Sequence, residues 1–285
     1  MTEPQGNDDN IGDQEFSEWR LGAMPWQQVR ANTTRLRFDE RHVGRVPDSI
    51  EALTEIDHLE GECSRYLSFP QTIANLDIWR FDFSATLLDF PLDAVSEWRN
   101  LRLFSAAGGL LGTVPPFFDS EHLGNINLCG NHLFEIPPGI SALRGLQWLR
   151  LADNMLGPGL ESAHSAVRQR ALAEIVELEH LKVLDLDSNR LRELPPGLEG
   201  LGVETLSLEF NHIHRLPFEV GSLRELKELR LRRNQITEVP GFIKGCEKLE
   251  TLDVRDNLIT EIPGWVDELP SLHTVRWDGN PVAAI

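Results

Sequence analysis

The sequence predicts an α/β solenoid, a horseshoe in which a parallel sheet lines the concave side and short helices or turns cover the convex side. Three observations support this fold. In the C-terminal half, apolar residues recur every 22 or 23 residues, an asparagine follows each apolar pair, and an apolar-proline step follows most asparagines. About eleven such units fit between residues 32 and 281. One unit cannot bury its apolar face alone, so neighbouring units must stack into a continuous core.

Four consecutive segments show the unit most clearly. They begin at Leu181, Val203, Leu226 and Leu249 and follow the pattern LxxLxLxxNxLxxLPxxIxxL. Side chains alternate along a strand, so both leucines of LxL point into the core and the residue between them points outward. Proline is tolerated where a helix begins, because no amide partner is needed there. The proline step therefore predicts a short helical turn on the convex side.

The repeated asparagines stand where the chain leaves each strand. Their amide groups can pair with backbone groups that the bend leaves unpaired, so we predict a structural ladder. Its members are Asn131, Asn154, Asn189, Asn211, Asn234, Asn257 and Asn280.

The N-terminal half carries the same unit in a weaker form. Its first two turns begin near Leu36 and Ile56. Two further turns, built on the apolar pairs of Phe81–Phe83 and Leu101–Leu103, have loops that depart from the period. The second of these loops contains Gly108–Gly109, which we expect to form a bulge or kink.

One insertion interrupts the regular half. Leu149 and Leu184 are 35 residues apart, about twelve more than one unit needs. The additional residues place apolar side chains on one helical face, so a helical insertion is expected at about 157–179. It either enlarges the convex side or serves as a docking element.

The two ends complete the predicted organisation. We expect an acidic flexible tail over 1–15 and an apolar N-terminal cap over 16–31, because an open solenoid end must be covered. The repeat domain then occupies 32–281, and a short C-terminal end follows over 282–285.

These residues resemble the leucine-rich-repeat family. The 23-residue spacing and the LPxxI step are similar to its intracellular class, that of Ras-suppressor and Ras-group proteins, over about residues 32–281. The resemblance implies a non-catalytic scaffold that binds a protein partner on the concave face, alone or as a subunit of a larger complex. A second hypothesis is a delivered effector or an immunity protein that binds a host or toxin target.

Composition narrows the kind of partner. The chain has 45 acidic and 27 basic residues, a formal charge of -18, which disfavours nucleic acid and anionic membranes as partners. No stretch approaches the roughly 18 apolar residues of a membrane span, and the first residues contain no signal-like apolar run. We therefore expect a cytoplasmic protein that is a monomer by default. Cys63, Cys129 and Cys246 are odd in number and far apart, which favours reduced thiols.

No catalytic, cofactor or metal site is predicted. The sequence contains no phosphate loop, no dinucleotide fingerprint and no nucleophile elbow. His212 and His214 form an HxH pair without a third ligand at suitable spacing. An enzyme is accordingly disfavoured.

The concave face supplies the candidate binding surface. Its candidate residues are Arg102, Phe104, Trp148, Arg150, Asp185, Asp187, Glu209, Arg230, Arg232, Arg255 and Arg276. They form an aromatic and arginine centre, an acidic step and a basic C-terminal group. Trp148 and Arg150 belong to the residue types enriched at binding hot spots, so we predict that the partner docks there. The alternative is that these charges are solvated and pair across strands, with Glu228, Asp253 and Asp256 neutralising the arginines.

Overall fold

A computed structural model describes most of the repeat domain. The described residues are 33–38, 44–62, 66–89, 91, 93–114, 120–157, 174–194 and 197–282. The predicted tail over 1–15, the cap over 16–31, most of the helical insertion and the last three residues lie outside them.

Fourteen short strands form within the described residues. They are β1 (Arg35–Phe38), β2 (Gly44–Arg45), β3 (His58–Glu62), β4 (Tyr66–Ser68), β5 (Arg80–Ser84), β6 (Leu87–Asp89), β7 (Leu103–Ala107), β8 (Asn125–Asn127), β9 (Trp148–Arg150), β10 (Val183–Asp185), β11 (Thr205–Ser207), β12 (Glu228–Arg230), β13 (Thr251–Asp253) and β14 (Thr274–Arg276).

Eleven of these strands make one parallel sheet in the order β1-β3-β5-β7-β8-β9-β10-β11-β12-β13-β14. Each strand lies beside the strand of the preceding turn, which confirms the predicted solenoid and its number of turns. The remaining strands form a smaller parallel sheet in the order β2-β4-β6, which the sequence analysis did not predict. It joins the loops of the N-terminal turns, and its register pairs the buried side chains of Leu67 and Leu88.

Short helices follow the strands on the convex side. One is the α-helix Ala94–Glu97, and the others are 3-10 helices at Asp48–Ala52, Gln71–Asn75, Ile140–Ala142, Glu174–Glu177, Leu198–Gly200, Phe218–Ser222, Gly241–Gly245 and Gly264–Glu268. Pro47, Pro70, Pro217, Pro240 and Pro263 directly precede five of them in extended conformation. The predicted proline step is thus confirmed.

The asparagine ladder is confirmed as well. In Asn211, Nδ2 donates to the carbonyl oxygens of Leu186 and Leu208 at 2.9 and 3.2 Å, and Oδ1 accepts from the amide of Leu191 at 3.0 Å. Two of these three partners belong to the preceding turn. Each asparagine therefore joins its own turn to the one before it, and the same arrangement recurs at Asn154, Asn189, Asn234, Asn257 and Asn280.

The N-terminal core is aromatic. The rings of Phe81 and Phe104 stack with centroids 5.3 Å apart, and those of Phe81 and Trp98 lie 5.4 Å apart. Gly61 replaces a leucine between Phe38 and Phe83, whose rings are 5.7 Å apart. A methyl group on Gly61 would lie 3.1 Å from Phe83 Cε1 and only 2.7 Å from the Phe38 carbonyl oxygen. The missing side chain makes room for the larger neighbours.

One predicted strand register is wrong. The sheet pairs Phe104 with Phe81 and with Ile126, and the Phe104 side chain is fully buried. Leu101 is the first apolar residue of the LxxLxL pattern, while Phe104 and Ala106 replace the next two leucines. Phe104 therefore belongs to the core rather than to the concave surface.

The same register corrects the Gly108–Gly109 prediction. Gly108 has a φ of 73° and occupies the same left-handed bend position as Gly130, whose φ is 66°. The amide of Gly109 donates to Asn131 Oδ1 at 3.1 Å. The two glycines form the regular bend after β7, not a bulge.

Candidate binding surface on the concave sheet

The exposed face of the large sheet carries three columns of side chains. The first and third residues of each three-residue strand flank a buried residue, as Trp148 and Arg150 flank Leu149. The third column consists of the second residue after each of these strands, such as Asp187. Every candidate except Arg102 and Phe104 lies in these columns. Arg102 precedes β7 by one residue, and Phe104 points inward.

Trp148 and Arg150 occupy the centre of the arc. Both side chains are half-buried, and Val183 is the register partner of Trp148 on β10. Arg150 Nη1 donates to Asn125 Oδ1 at 3.3 Å. Within the described parts of the chain no carboxylate lies within 4.0 Å of this guanidinium group. The centre therefore presents an indole ring beside a guanidinium group that has no carboxylate partner among the described residues.

The floor beside this centre is small and uncharged. It contains Ser105, Asn127, Cys129 and Ala152, none of which projects a long side chain. Burial, followed by the nearby Asp185 charge, raises the pKa of the Cys129 thiol to about 11, so the thiol is protonated at neutral pH. These residues can therefore provide contact area for a partner, whereas the protonated Cys129 thiol is not a nucleophile.

The acidic step consists of Asp185, Asp187 and Glu209. Asp187 Oδ1 accepts hydrogen bonds from the Ser207 hydroxyl at 2.7 Å and from the Glu209 amide at 2.6 Å. The Asp187 amide in turn donates to Asp185 Oδ1 at 3.1 Å. The pKa of Asp187 is raised to about 6, because burial and the charges of Asp185 and Glu209 outweigh the hydrogen bonds from Ser207 and the Glu209 amide. No lysine or arginine in the described ranges lies within 4.0 Å of these carboxylates.

The basic C-terminal group is neutralised internally. Arg232 Nε lies 2.9 Å from Asp256 Oδ2, and Arg230 pairs with Glu228 on its own strand. Buried Asp253 pairs with both Arg255 and Arg276, the latter at 3.5 Å. Burial alone would raise the pKa of Asp253, but the hydrogen bonds and charge of Arg255 hold it below its usual value. At this end the arginines therefore pair with Glu228, Asp253 and Asp256, the carboxylates named in the alternative, but Asp253 is buried rather than solvated.

Arg102 contributes to a separate cluster. Its guanidinium carbon lies 5.4 Å from the centroid of the Trp79 ring, and that ring is 4.9 Å from the His58 ring. β8 separates this cluster from Trp148 and Arg150, so the structure does not bring the predicted centre together as one patch. Trp79 was missed by the sequence analysis. The available signal was its place one residue before a strand, matching that of Arg102 one turn later.

Among the residues described above, no group of three or more His, Cys, Asp or Glu side chains is arranged to hold a metal ion. No helix in this part of the chain is both long enough and apolar enough to cross a bilayer.

Two family models match the chain. One, described as "Leucine rich repeat", matches residues 224–282, and a second with the same description matches 180–201. The chain contains leucine-rich repeats. The matched residues cover the most regular turns of the chain, where strand, asparagine and proline step follow one another without interruption.

Curated relatives share the repeats but are much longer. TMV resistance protein N of Nicotiana glutinosa is 39% identical over 205 residues, which is 69% of this chain and 15% of that protein. The volume-regulated anion channel subunit LRRC8B of Homo sapiens is 25% identical over 220 residues, which is 76% of this chain and 27% of the subunit. The chain therefore spans less than a third of either relative.

Solved structures show the same fold. An LRR protein of Leptospira interrogans superposes with a TM-score of 0.72 at 22% identity, covering 90% of this chain and 69% of that one. The plant peptide hormone receptor RGFR1, solved in complex with RGF2, superposes with a TM-score of 0.67 at 20% identity, covering 88% of this chain and 40% of the receptor.

Proposed function

We propose that this protein is a non-catalytic scaffold that binds a protein partner on its concave face, across Trp148 and Arg150. Leucine-rich-repeat proteins generally mediate protein-protein interaction, and the similar fold of RGFR1 was solved with RGF2 bound. The observation that carries the proposal is the half-buried indole beside a guanidinium group with no carboxylate within 4.0 Å in the described structure.

The contrast along the sheet supports this location. At the C-terminal end the same face pairs its arginines with Glu228, Asp253 and Asp256. Within the described residues, Arg150 donates only to the Asn125 amide oxygen, although Asp185 is its register partner on β10. An aromatic ring and a guanidinium group without an ion pair contribute most to the free energy of binding when a partner covers them and excludes water.

A double substitution tests the proposal. Trp148→Ala with Arg150→Ala removes both outward side chains while leaving buried Leu149 in place. The measurement is affinity capture from a lysate of the source cells, followed by mass spectrometry. The wild-type chain should recover a specific protein, and the double variant should recover at least about tenfold less of that protein.

A matched control removes one aromatic and one arginine elsewhere. Phe218→Ala with Arg192→Ala changes two exposed residues outside the concave columns, and the partner should then be retained. Equal capture by the wild type and by the Trp148 and Arg150 variant would refute docking at this centre.

The class of the repeats and the cellular location of the protein are part of the same proposal. We place the repeats in the intracellular 23-residue class, with a cytoplasmic, monomeric protein as the working state. Cell fractionation and light scattering of the purified chain test these two points, and recovery in the culture medium or a defined oligomer would contradict them.

A second candidate function is recognition of a foreign molecule by an immunity-type protein. The similarity to TMV resistance protein N favours it, although the chain spans only 15% of that protein. Export of the chain without a signal sequence would instead favour a delivered effector. The immunity-type protein and the delivered effector use the same concave surface in this proposal, so the substitutions above test both.

A further inference from the structure

The concave face around β9, β10 and β11 has a charge pattern that its own residues leave unbalanced. Asp185, Asp187 and Glu209 lie on neighbouring turns, linked by hydrogen bonds through backbone amides. None of the described lysines or arginines comes within 4.0 Å of them. Two turns further on, the same columns hold Asp253 between two arginines. Among the described residues, the lack of a basic partner therefore distinguishes these three carboxylates from Asp253 on the same face of the sheet.

An apolar strip runs beside these carboxylates. Trp148 and Val183 are register partners in the first column, and both side chains are half-buried. Asp185 is two residues beyond Val183 on β10, which places the second column about 7 Å from the first, and Asp187 in the third column lies about 13 Å from it. Alternate side chains of an extended peptide have the same spacing, so one segment can reach both features.

The chemistry of the carboxylates selects the class of cation. They do not form a group arranged to hold a metal ion within the described residues. Ser207 and the Glu209 amide already occupy Asp187 Oδ1, and the Asp187 amide occupies Asp185 Oδ1. Within the described residues, the second oxygen of each aspartate and the Glu209 carboxylate accept no hydrogen bond. A flexible ammonium or guanidinium group can meet three acceptors on two adjacent strands, because those strands lie about 4.8 Å apart.

We propose that the partner places an extended segment over β9–β11, with an apolar side chain on Trp148 and Val183 and a neighbouring lysine or arginine on Asp185, Asp187 and Glu209. This inference rests on the proposed function and specifies the chemistry of the segment bound there. The occupant is an exposed loop or tail of a protein, recognised by charge complementarity beside an apolar contact.

Fluorescent peptide pools test the inference directly. Three pools share randomised uncharged flanks and differ only in a central Phe-x-Arg, Phe-x-Ala or Phe-x-Glu core. Anisotropy titrations use the full-length chain. We expect the arginine pool to bind at least about tenfold more tightly than the glutamate pool, with the alanine pool between them.

Two triple variants separate the acidic step from the overall charge of -18. Asp185→Asn, Asp187→Asn and Glu209→Gln should remove the preference for arginine. Glu135→Gln, Glu199→Gln and Glu261→Gln change the net charge equally at exposed positions outside the concave columns and should preserve it. Circular dichroism confirms that each variant is folded.

The outcomes distinguish the inference from the proposed function. Equal binding of all three pools, lost with Trp148→Ala and Arg150→Ala, would overturn the basic segment and leave the docking centre standing. Loss of the arginine preference in both triple variants would show general electrostatic attraction and overturn the inference. Absence of binding by any pool would also overturn it, while the proposed function would still be decided by the capture experiment.

Discussion

The hydroxyl group of Ser207 on β11 donates a 2.7 Å hydrogen bond to Asp187 Oδ1, which follows β10. This contact stabilises a carboxylate that burial and the neighbouring Asp185 and Glu209 charges disfavour. The free protein therefore holds a negative charge at an electrostatic cost, on the surface where we propose that a partner supplies a cation. Proteins commonly sacrifice stability at such sites.

Asp187→Asn should stabilise the free protein at neutral pH. The native pKa of Asp187 is raised to about 6, so the native state retains a proton that the unfolded state has lost, and stability falls as pH rises from about 4 through 6. Solvent screening limits the gain above pH 7 to about 1 kcal/mol. Urea unfolding of both proteins from pH 4 to 8 measures it, and the difference should vanish near pH 4.

A surface control belongs to this experiment. Asp278→Asn removes an equal charge from an exposed side chain at the last turn and should not reproduce the pH-dependent gain. The carboxylates nearest Asp187 are Asp185 on its own turn and Glu209 on the next turn. Arg150 on β9 is the register partner of Asp185, and the charge of Glu209 also acts on Arg255, two turns further along the sheet. A gain that persists at pH 4 would show that packing, rather than ionisation, is responsible.

Asn211→Ala should be among the most destabilising substitutions of a polar residue. It removes the side chain that binds Leu186, Leu208 and Leu191. The buried Leu191 amide loses its partner, whereas the Leu186 and Leu208 carbonyl oxygens still accept from Asn189 and Asn234. We expect a loss of about 3 kcal/mol in the free energy of unfolding, measured with urea. Asn100→Ala, which breaks only an exposed contact with Asp77, should cost less than about 0.5 kcal/mol.

Gly61→Ala should destabilise the N-terminal turns. The added methyl group would meet the Phe38 carbonyl oxygen at 2.7 Å, and the rigid backbone cannot yield cheaply. A cost of about 1–3 kcal/mol is expected from such overpacking. Gly200→Ala introduces the same group where no atom lies within 4 Å, so a similar change in melting temperature for both variants would contradict this explanation.

Phe104→Ala tests the strand register. A fully buried ring stacked on Phe81 should cost about 3–5 kcal/mol when it is removed. Leu258→Ala, at a side chain that is 51% exposed, provides the comparison and should change the unfolding free energy little. If Phe104→Ala were as mild as Leu258→Ala, the ring would have to lie on the surface, and the register of β7 would be different.

The error at Phe104 has a simple physical origin. Leu101 and Leu103 form an LxL pair in the sequence, yet a strand displaced by one residue turns every side chain to the opposite face. The period would have decided correctly, because Phe104 stands 23 residues after Phe81 and 22 before Ile126. A regular repeat is thus stronger evidence of register than a local apolar pair.

The small sheet of β2, β4 and β6 and the cluster around Trp79 escaped prediction for another reason. Both depend on contacts between residues of successive turns that lie outside the repeating strand pattern. Their sequences show no alternation of their own, so only the stacked structure brings Tyr66 beside Leu87 or Arg102 over Trp79.

For this protein, the sequence by itself determined the solenoid, the parallel sheet, the asparagine ladder and the proline-led helices. Each turn meets the same requirement to bury one apolar face and pair its backbone, so a period in the residues specifies a period in space. Only the tertiary structure decided which concave charges remain unbalanced. Ion pairing depends on side-chain directions across neighbouring strands, so Asp253 neutralises Arg255 and Arg276 while Arg150 and Asp185, also register partners, stay apart.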